Sequence, residues 1–237
     1  MCTPYKLINH ALGAETGVFE TKLDDLGAIV GSRPVTHSGQ HAIVPSDSPM
    51  IVIARHGRPA LDRHIWINAD QYQDWWAQYD AGGLASGQSV PNGLVQALLA
   101  CKVIVSSSLR RALETAAMAA PGRELIVEHQ FVEAPLPPPA LPKFILFRPR
   151  FWGVISRISW FLGNHRGQES RVEAEVRAQG AADWLIEQAR QSGSVGLLAH
   201  GWFNRMMRPH LLARGWVCVY DGRDAHWSHR IYRPKPD

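Results

Sequence analysis

The architecture of this chain can be inferred from one stretch, MIVIARHGRPA at residues 50–60. An apolar run leads directly into Arg55 and His56, and Gly57 follows at once. A short continuous apolar run is typical of a strand that is buried on both faces of a parallel sheet. Open α/β sheets bind ligands beyond the carboxyl ends of their strands, so an imidazole between basic residues predicts an anion site there.

The rhythm of the chain after Met50 predicts the fold class. Strand patterns alternate with helical ones, which indicates an α/β fold of three layers, with a mostly parallel central sheet flanked by helices and an inserted helical cap. Strands are predicted over 50–54, 102–106, 124–128, 194–199 and 216–220, and a possible edge strand over 227–232. Helices are predicted over 69–80, 93–100, 109–120, 170–191 and 202–213.

The predicted cap insertion spans about 134–167, where the rhythm is interrupted. Five prolines lie within 133–142, which disfavours a helix there, and Pro149 is well placed for the start of the next one. Apolar residues then follow a helical spacing of three and four: Phe147, Phe151, Val154, Ile158, Phe161 and Leu162. We expect a helix that packs on the domain and covers its site; contact of the cap with substrate and a membrane-surface helix remain alternatives.

Length and charge bound the domain count and the partners. The 237 residues are 46% hydrophobic, which is enough for one large domain, predicted at 50–237. Residues 1–49 show no sustained period and are interpreted as an N-terminal extension of unknown role. The net charge of +4 suits a small anionic molecule and is too low for a nucleic-acid footprint. Six basic residues but only one acid lie within 143–171, so the excess is local.

Cysteines, histidines and hydropathy give no sign of a cofactor, a metal or a membrane. The three cysteines are far apart and form no CxxC pair, which favours a reducing cytoplasm. No apolar run of 18 residues occurs, so neither a membrane span nor export is expected. The other histidines show no spacing that specifies a metal and are treated as ordinary: His64, His210, His226 and His229.

The polar residues after three predicted strands suit a phosphoryl group. The first strand ends in Arg55-His56-Gly57, the second leads to Arg110 and Arg111, and the fourth ends in His200-Gly201. Guanidinium groups bind phosphoryl oxygens bidentately without losing their proton, and a neutral imidazole attacks phosphorus when neighbouring cations keep it unprotonated. Gly57 lets the backbone approach the anion closely. Arginines that neutralise the phosphate leave no need for a metal.

At these residues the chain resembles the histidine phosphatase superfamily, which is also called phosphoglycerate-mutase-like, and within it the bacterial phosphatase type. The superfamily shares R-H-G after the first strand, S-x-L-x-R-A-x-x-T-A after the second, a later Glu and a late H-G. These motifs read here as Arg55-His56-Gly57, Ser107 to Ala116, Phe131-Val132-Glu133 and Ala199-His200-Gly201. They occur in the superfamily's order across residues 50–233.

The resemblance implies a nucleophile and its phosphate ligands. His56 is then the nucleophile, and Arg55, Arg111 and His200 bind and stabilise the transferred group. Gly57 and Gly201 are implied at the phosphate as well. Arg58 stands where many members have an acid or an amide, and it is either a further phosphate ligand or the ion-pair partner of Asp62 or Asp70.

The general acid has two candidates. The resemblance implies Glu133, but the prolines that follow it depart from many members, and Glu169 in the sequence Gly167-Gln168-Glu169-Ser170 is a rival. The acid protonates the leaving alcohol and later activates water.

The function expected from these residues is that of a metal-independent phosphomonoesterase that acts on a small organic phosphate through a phosphohistidine. A phosphohistidine protein phosphatase and a phosphoglycerate-type mutase are alternatives within the class. A non-catalytic phosphate- or partner-binding module and a metallophosphatase are the alternatives outside it.

Overall fold

The computed structural model describes residues 48–236 and, farther upstream, three strands at 6–9, 18–23 and 29–34. The chain divides into two compact units, residues 1–42 and 43–237. In the first unit, β1 (Lys6–Asn9), β2 (Val18–Leu23) and β3 (Ile29–Pro34) form an antiparallel sheet in that order. These strands lie where the sequence shows no sustained period, because each is only four to six residues long. The interpretation of residues 1–49 as an N-terminal extension stays a prediction, and its role is unknown.

The second unit contains every element predicted downstream of Met50, with small changes of boundary. Its strands are β4 (Met50–Arg55), β5 (Val103–Ser107), β6 (Leu125–Glu128), β7 (Ser194–Ala199), β8 (Trp216–Asp221) and β9 (His229–Pro234). Its helices are α1 (Ala69–Ala81), α2 (Asn92–Leu99), α3 (Arg110–Ala119), α4 (Pro149–Phe161), α5 (Arg171–Ser192) and α6 (Gly201–Ala213), with a 3₁₀ turn at His129–Phe131.

The six strands of this unit form one mostly parallel sheet in the order β6-β5-β7-β4-β9-β8. The pairs β4–β7, β5–β7 and β5–β6 are parallel, whereas β9 runs antiparallel to both β4 and β8. The prediction that the C-terminal strand lies at an edge was therefore wrong. β9 fills the gap between β4 and β8, because its backbone pairs with both of them, and β8 is the edge strand.

Alternation along β4 builds the predicted three layers. Ile51 and Ile53 pack with α5 and α6 on one face of the sheet. Met50, Val52 and Ala54 pack with α2 and α3 on the other face. Successive side chains of a strand point to opposite faces, so one apolar run serves both layers. The predicted fold class is confirmed.

The cap helix α4 is attached to α1 through a separate aromatic cluster. Tyr72 stacks on Trp75 and on Trp152, with ring centroids 5.9 and 5.8 Å apart. The Nε1 of Trp152 donates to the carbonyl of Ile67 at 2.7 Å. Asn68 caps α1 through a capping box with Gln71, which fixes where this helix begins. The cap is therefore anchored by aromatic packing together with a hydrogen bond.

The face of α4 that packs is not the one that the apolar spacing suggested. Trp152, Ser156 and Trp160 are buried, whereas Phe151, Val154, Ile158, Phe161 and Leu162 are exposed. We call this exposed set the α4 stripe. The two indoles occupy the inner face because they are the largest side chains of the helix and because each Nε1 reaches a carbonyl. The Nε1 of Trp160 donates to the carbonyl of Glu169 at 3.0 Å. None of the helices in the described part of the chain is long and apolar enough to cross a membrane.

Candidate active site

The sheet brings the predicted histidines together at the carboxyl ends of neighbouring strands. β4 ends at Arg55 and continues into His56, and β7 lies beside β4 and continues into His200 at the start of α6. Their ring centroids are 5.1 Å apart. That separation is short enough for both rings to contact one phosphoryl group.

His56 is held in the tautomer that a nucleophile needs. Its Nδ1 lies 2.7 Å from the carbonyl oxygen of Gly57, and because that oxygen only accepts, Nδ1 is the protonated nitrogen. Nε2 is then the unprotonated nitrogen of the neutral ring. The ring is 2% exposed, and burial, followed by the positive charges of Arg111 and Arg55, holds the pKa of His56 well below its usual range. The ring is therefore neutral at physiological pH, and Nε2 has a free lone pair.

His200 is fully buried and presents one unsatisfied nitrogen. Its Nε2 lies 2.8 Å from the Oγ of Ser107, at the end of β5. Its Nδ1 has no hydrogen-bond partner among the described residues. Burial, followed by the charge of Arg111 and the neighbouring ring of His56, lowers the pKa of His200 well below its usual range. When the hydroxyl of Ser107 donates to Nε2, Nδ1 carries the proton of the neutral ring. A buried polar atom without a partner is costly, and an oxygen of a bound anion is the kind of group that would satisfy this N–H.

Arg55 lines the cavity in front of His56. Its Nη1 donates to the carbonyl of Asp224 at 2.6 Å, while its Nε is buried without a partner. A Cβ added at Gly201 would lie 2.9 Å from that Nε, so glycine is required there for the guanidinium to pass. Gly57 is equally constrained, since a Cβ would lie 2.4 Å from Cζ2 of Trp227.

Arg111 lies beneath the histidines and is not among the residues that line the cavity. It is fully buried, with Nη1 donating to the carbonyl of Tyr79 at 3.0 Å and Nη2 lying 3.0 Å from Oδ1 of Asp80. Its guanidinium also stacks 4.6 Å from the centre of the Tyr79 ring. It is among the largest influences on the pKa of both His56 and His200. We call Arg55, His56, Arg111 and His200 the basic floor.

Glu133 reaches the cavity and the start of α6. Its Oε1 accepts from the backbone N–H of Phe203 at 2.8 Å and of Ala134 at 3.0 Å, and its Oε2 accepts from Trp202 at 3.1 Å. The carboxylate thus caps a helix to which it does not belong, at the end where the helix dipole favours negative charge. Its orientation beside His56 is fixed by these three donors.

The rival acid and the extra arginine lie outside the cavity lining. Glu169 forms two hydrogen bonds with Arg177, both of 2.7 Å. Arg58 is exposed, and neither predicted ion pair forms, since Asp70 pairs with Lys143 and Asp62 accepts from the backbone of His64.

The loop between β8 and β9 supplies site residues that the motifs did not reveal. The ring of His226 lies 5.6 Å from that of His56, and burial, followed by the charges of Arg55 and Arg63, lowers its pKa to about 4. Asp224 accepts hydrogen bonds from Arg205 and Arg230 on its carboxylate. This loop joins the carboxyl end of β8 to β9, and the pairing of β9 with β4 brings it to His56.

A cavity of about 460 Å³ lies against the basic floor, of which Arg55 and His56 line it. Helix α4 contributes Val154, Arg157 and Ile158 to the wall of this cavity. Arg157 is sandwiched between two indoles and donates to the carbonyl of Ala134, which joins the cap to the Glu133 segment. Burial lowers the pKa of Arg157 to about 10. Further cationic and acidic lining residues are Arg63, Arg150, Arg205, Glu133 and Asp224.

The chemistry of the site does not suggest a metal. Within the described residues, no three His, Cys, Asp or Glu side chains are grouped as metal ligands would be. The cations that face the cavity are guanidinium groups, which bind phosphoryl oxygens directly.

Comparison with known proteins gives likeness only among solved structures. No family model and no curated protein matches the chain. A mycobacterial glucosyl-3-phosphoglycerate phosphatase is similar over 70% of this chain and 80% of its own, with 22% identity and a TM-score of 0.46. The Entamoeba histolytica phosphoserine phosphatase covers 69% and 80%, with 18% identity and a TM-score of 0.43. A putative α-ribazole-5′-P phosphatase from Escherichia coli covers 69% and 80%, with 12% identity and a TM-score of 0.42.

All three of these proteins are named as phosphatases. At these identities and TM-scores the likeness carries no argument about the activity of this chain.

Proposed function

We propose that this protein is a metal-independent phosphomonoesterase of the histidine phosphatase type, acting on a small organic phosphate through a phosphohistidine. The observation that carries the proposal is the pairing of His56 and His200, 5.1 Å apart and buried beside two arginines. Two uncharged imidazoles in a positively charged pocket suit the attack on a phosphate dianion and its stabilisation.

In the first step, the free Nε2 of His56 attacks phosphorus in line with the ester oxygen. An N–P bond forms while the P–O bond to the alcohol breaks. The Nδ1–H bond to Gly57 stabilises the positive charge that develops on the ring. Arg55 and the Nδ1–H of His200 bind the equatorial oxygens, and the buried charge of Arg111 stabilises the transferred group from below.

Proton transfer falls to Glu133. In its acid form it gives a proton to the leaving oxygen, so the product leaves as an alcohol. A water then enters, Glu133 accepts its proton, and the hydroxide attacks the phosphohistidine. The N–P bond breaks, inorganic phosphate leaves, and His56 and Glu133 return to their starting states. Glu133 is favoured over Glu169 because only Glu133 lines the cavity with His56.

The test is hydrolysis of p-nitrophenyl phosphate in excess EDTA. We expect turnover by the wild type and by His64→Gln, an exposed histidine, and no turnover by His56→Gln. Acid-labile, base-stable phosphate on the quenched enzyme would identify the phosphohistidine. Absence of turnover in the wild type would favour a non-catalytic module, and loss of activity in EDTA with recovery on adding a divalent metal would favour a metallophosphatase.

A further inference from the structure

The α4 stripe is a continuous apolar surface turned away from the core. Its five residues recur at the spacing of one helical face, and their exposed fractions run from 44% for Phe161 to 83% for Leu162. Isolated apolar residues on a surface are ordinary, but a contiguous row on one helix marks an interaction surface.

Cations accompany the stripe. The guanidinium of Arg171 lies 4.9 Å from the centre of the Phe161 ring. At the other end, Arg148 lies 5.4 Å from the ring of Trp66, which is 60% exposed. Arg150 lines the same cavity wall as Val154. Glu169 pairs with Arg177 and Asp70 with Lys143, and Glu173, which caps α5, offsets only one of the three arginines, so the surface keeps a positive charge.

A helix with Phe, Val, Ile and Leu on one side and arginines at its margins has the chemistry of an interfacial membrane helix. The apolar side chains of such a helix enter the acyl boundary, while the basic side chains meet anionic headgroups. The opposite, inner face of α4 is not available to lipid, because Trp152 and Trp160 pack there on the domain. The charge of the margin argues for an anionic lipid surface as the occupant.

We propose that the α4 stripe docks this protein on an anionic membrane surface. The inference goes beyond the proposed function, because docking requires only the exposed face of α4 and its arginines. Docking also sets the position of the cavity relative to the membrane, because Val154 and Ile158 belong to both the stripe and the cavity wall. The mouth of the site then opens beside the lipid headgroups.

The test is sedimentation of the full chain with vesicles, without substrate. We expect binding to phosphatidylglycerol–phosphatidylcholine vesicles and much weaker binding to pure phosphatidylcholine. Phe151→Asp/Leu162→Asp should weaken that binding by at least about tenfold. The matched control is Leu99→Asp/Leu212→Asp, two exposed leucines on α2 and α6, and it should bind like the wild type. Neither pair lines the cavity, so hydrolysis of p-nitrophenyl phosphate should be unchanged in both.

The electrostatic part has its own arm. Arg148→Glu/Arg171→Glu should lower binding to anionic vesicles by about tenfold or more, and Arg190→Glu, an exposed arginine at the far end of α5, should not. Failure of the wild type to sediment with anionic vesicles would overturn the proposal. So would equal losses in the stripe and control variants, or a dimer in light scattering that Phe151→Asp/Leu162→Asp dissociates, because a second copy would then cover the stripe. His56→Gln should bind vesicles normally, which separates docking from catalysis.

Discussion

The basic floor and the α4 stripe invert the usual distribution of side chains in opposite ways. In the floor, ionisable groups such as His56 and Arg111 are almost completely buried. In the stripe, large apolar groups such as Phe151 and Leu162 are exposed to water. Both arrangements cost free energy in the isolated protein, since buried charge loses hydration and exposed apolar surface orders water.

The difference shows which partner completes each region. The floor holds positive charge and an unsatisfied imidazole nitrogen, so an anion completes it. The stripe has apolar area and a basic margin, so a surface of lipids completes it. Each region departs from the rules of a stable core where a second molecule belongs, and each departure can be tested separately.

The largest expected effect concerns proton transfer by Glu133 in the cavity beside the basic floor. Glu133→Gln keeps the shape of the side chain but removes the proton, so we expect hydrolysis of an alkyl phosphate to fall ~10²–10⁴-fold. The loss in kcat/KM, which reports the transfer of the phosphoryl group to His56, should be much smaller with p-nitrophenyl phosphate, whose leaving group departs without a proton. Steady-state kinetics with both substrates measures the difference.

The control for this change is Glu169→Gln. It removes the rival acid, which lies outside the cavity lining, and should leave the ratio between the two substrates unchanged. If Glu169→Gln instead produced the dependence on the leaving group, Glu169 rather than Glu133 would be the general acid. Melting temperatures of both variants would exclude unfolding as the cause.

The next effect compares the two faces of α4. Trp152→Ala removes a fully buried indole and its hydrogen bond to Ile67, and should lower the free energy of unfolding by about 3–5 kcal/mol. Phe151→Ala, on the stripe, should change it by less than about 0.5 kcal/mol. Urea denaturation of both variants measures this. A large loss in Phe151→Ala would mean that the stripe is covered by protein in solution.

A smaller effect tests the tight contact between the floor and α6. In Gly201→Ala the added methyl group must displace Arg55, and we expect kcat/KM to fall by about 10- to 100-fold, mainly through loss of phosphate contacts. Gly180→Ala is the matched control on α5, because no atom lies within 4 Å of its added Cβ. That control should keep full activity and gain about 0.5–1 kcal/mol of stability from better helix propensity. Equal activity of the two variants would contradict the contact.

The smallest effect is a dependence of stability on pH. The folded state keeps His226 unprotonated down to about pH 4, whereas the unfolded chain takes up that proton near 6.5. The unfolded state thus binds more protons between these values, and the free energy of unfolding falls as the pH is lowered through them. His56 and His200 act in the same direction.

The variant that measures the share of His226 is His226→Gln. Between pH 7 and pH 5 we expect its loss of stability to be about 1 kcal/mol smaller than that of the wild type, after allowance for partial exposure of the ring. His64→Gln, on the surface, should retain the slope of the wild type. Identical slopes in all three proteins would contradict the burial of His226.

The order of the elements and most of the floor were predictable from the sequence because strand patterns are local. His56 and His200 follow apolar runs that become neighbouring strands, and the carboxyl ends of parallel strands meet at one edge. His226 was missed because its position depends on β9 pairing with β4, where Ala54 lies opposite His229. No local pattern announces such a pairing, and the edge position predicted for this strand kept its loop away from the site.

The orientation of the cap was unpredictable for a different reason. α4 is apolar on two sides, with Trp152 and Trp160 on one and the stripe on the other. Helical spacing shows which residues share a side but not which side the domain covers. Tertiary contacts decide that, here through the carbonyls that the two indoles reach and through the aromatic side chains of α1.

The carboxylate of Glu133 links the catalytic cycle to the integrity of a helix. It accepts the N–H groups of Trp202 and Phe203 in the first turn of α6, next to His200. In the proposed catalytic cycle this carboxylate is protonated once per turnover, and a neutral acid is a weaker acceptor for those donors. That cycle would weaken and restore the capping of α6 once per turnover. A substitution that capped this helix permanently would gain stability, but it would remove the proton transfer that the proposed turnover requires.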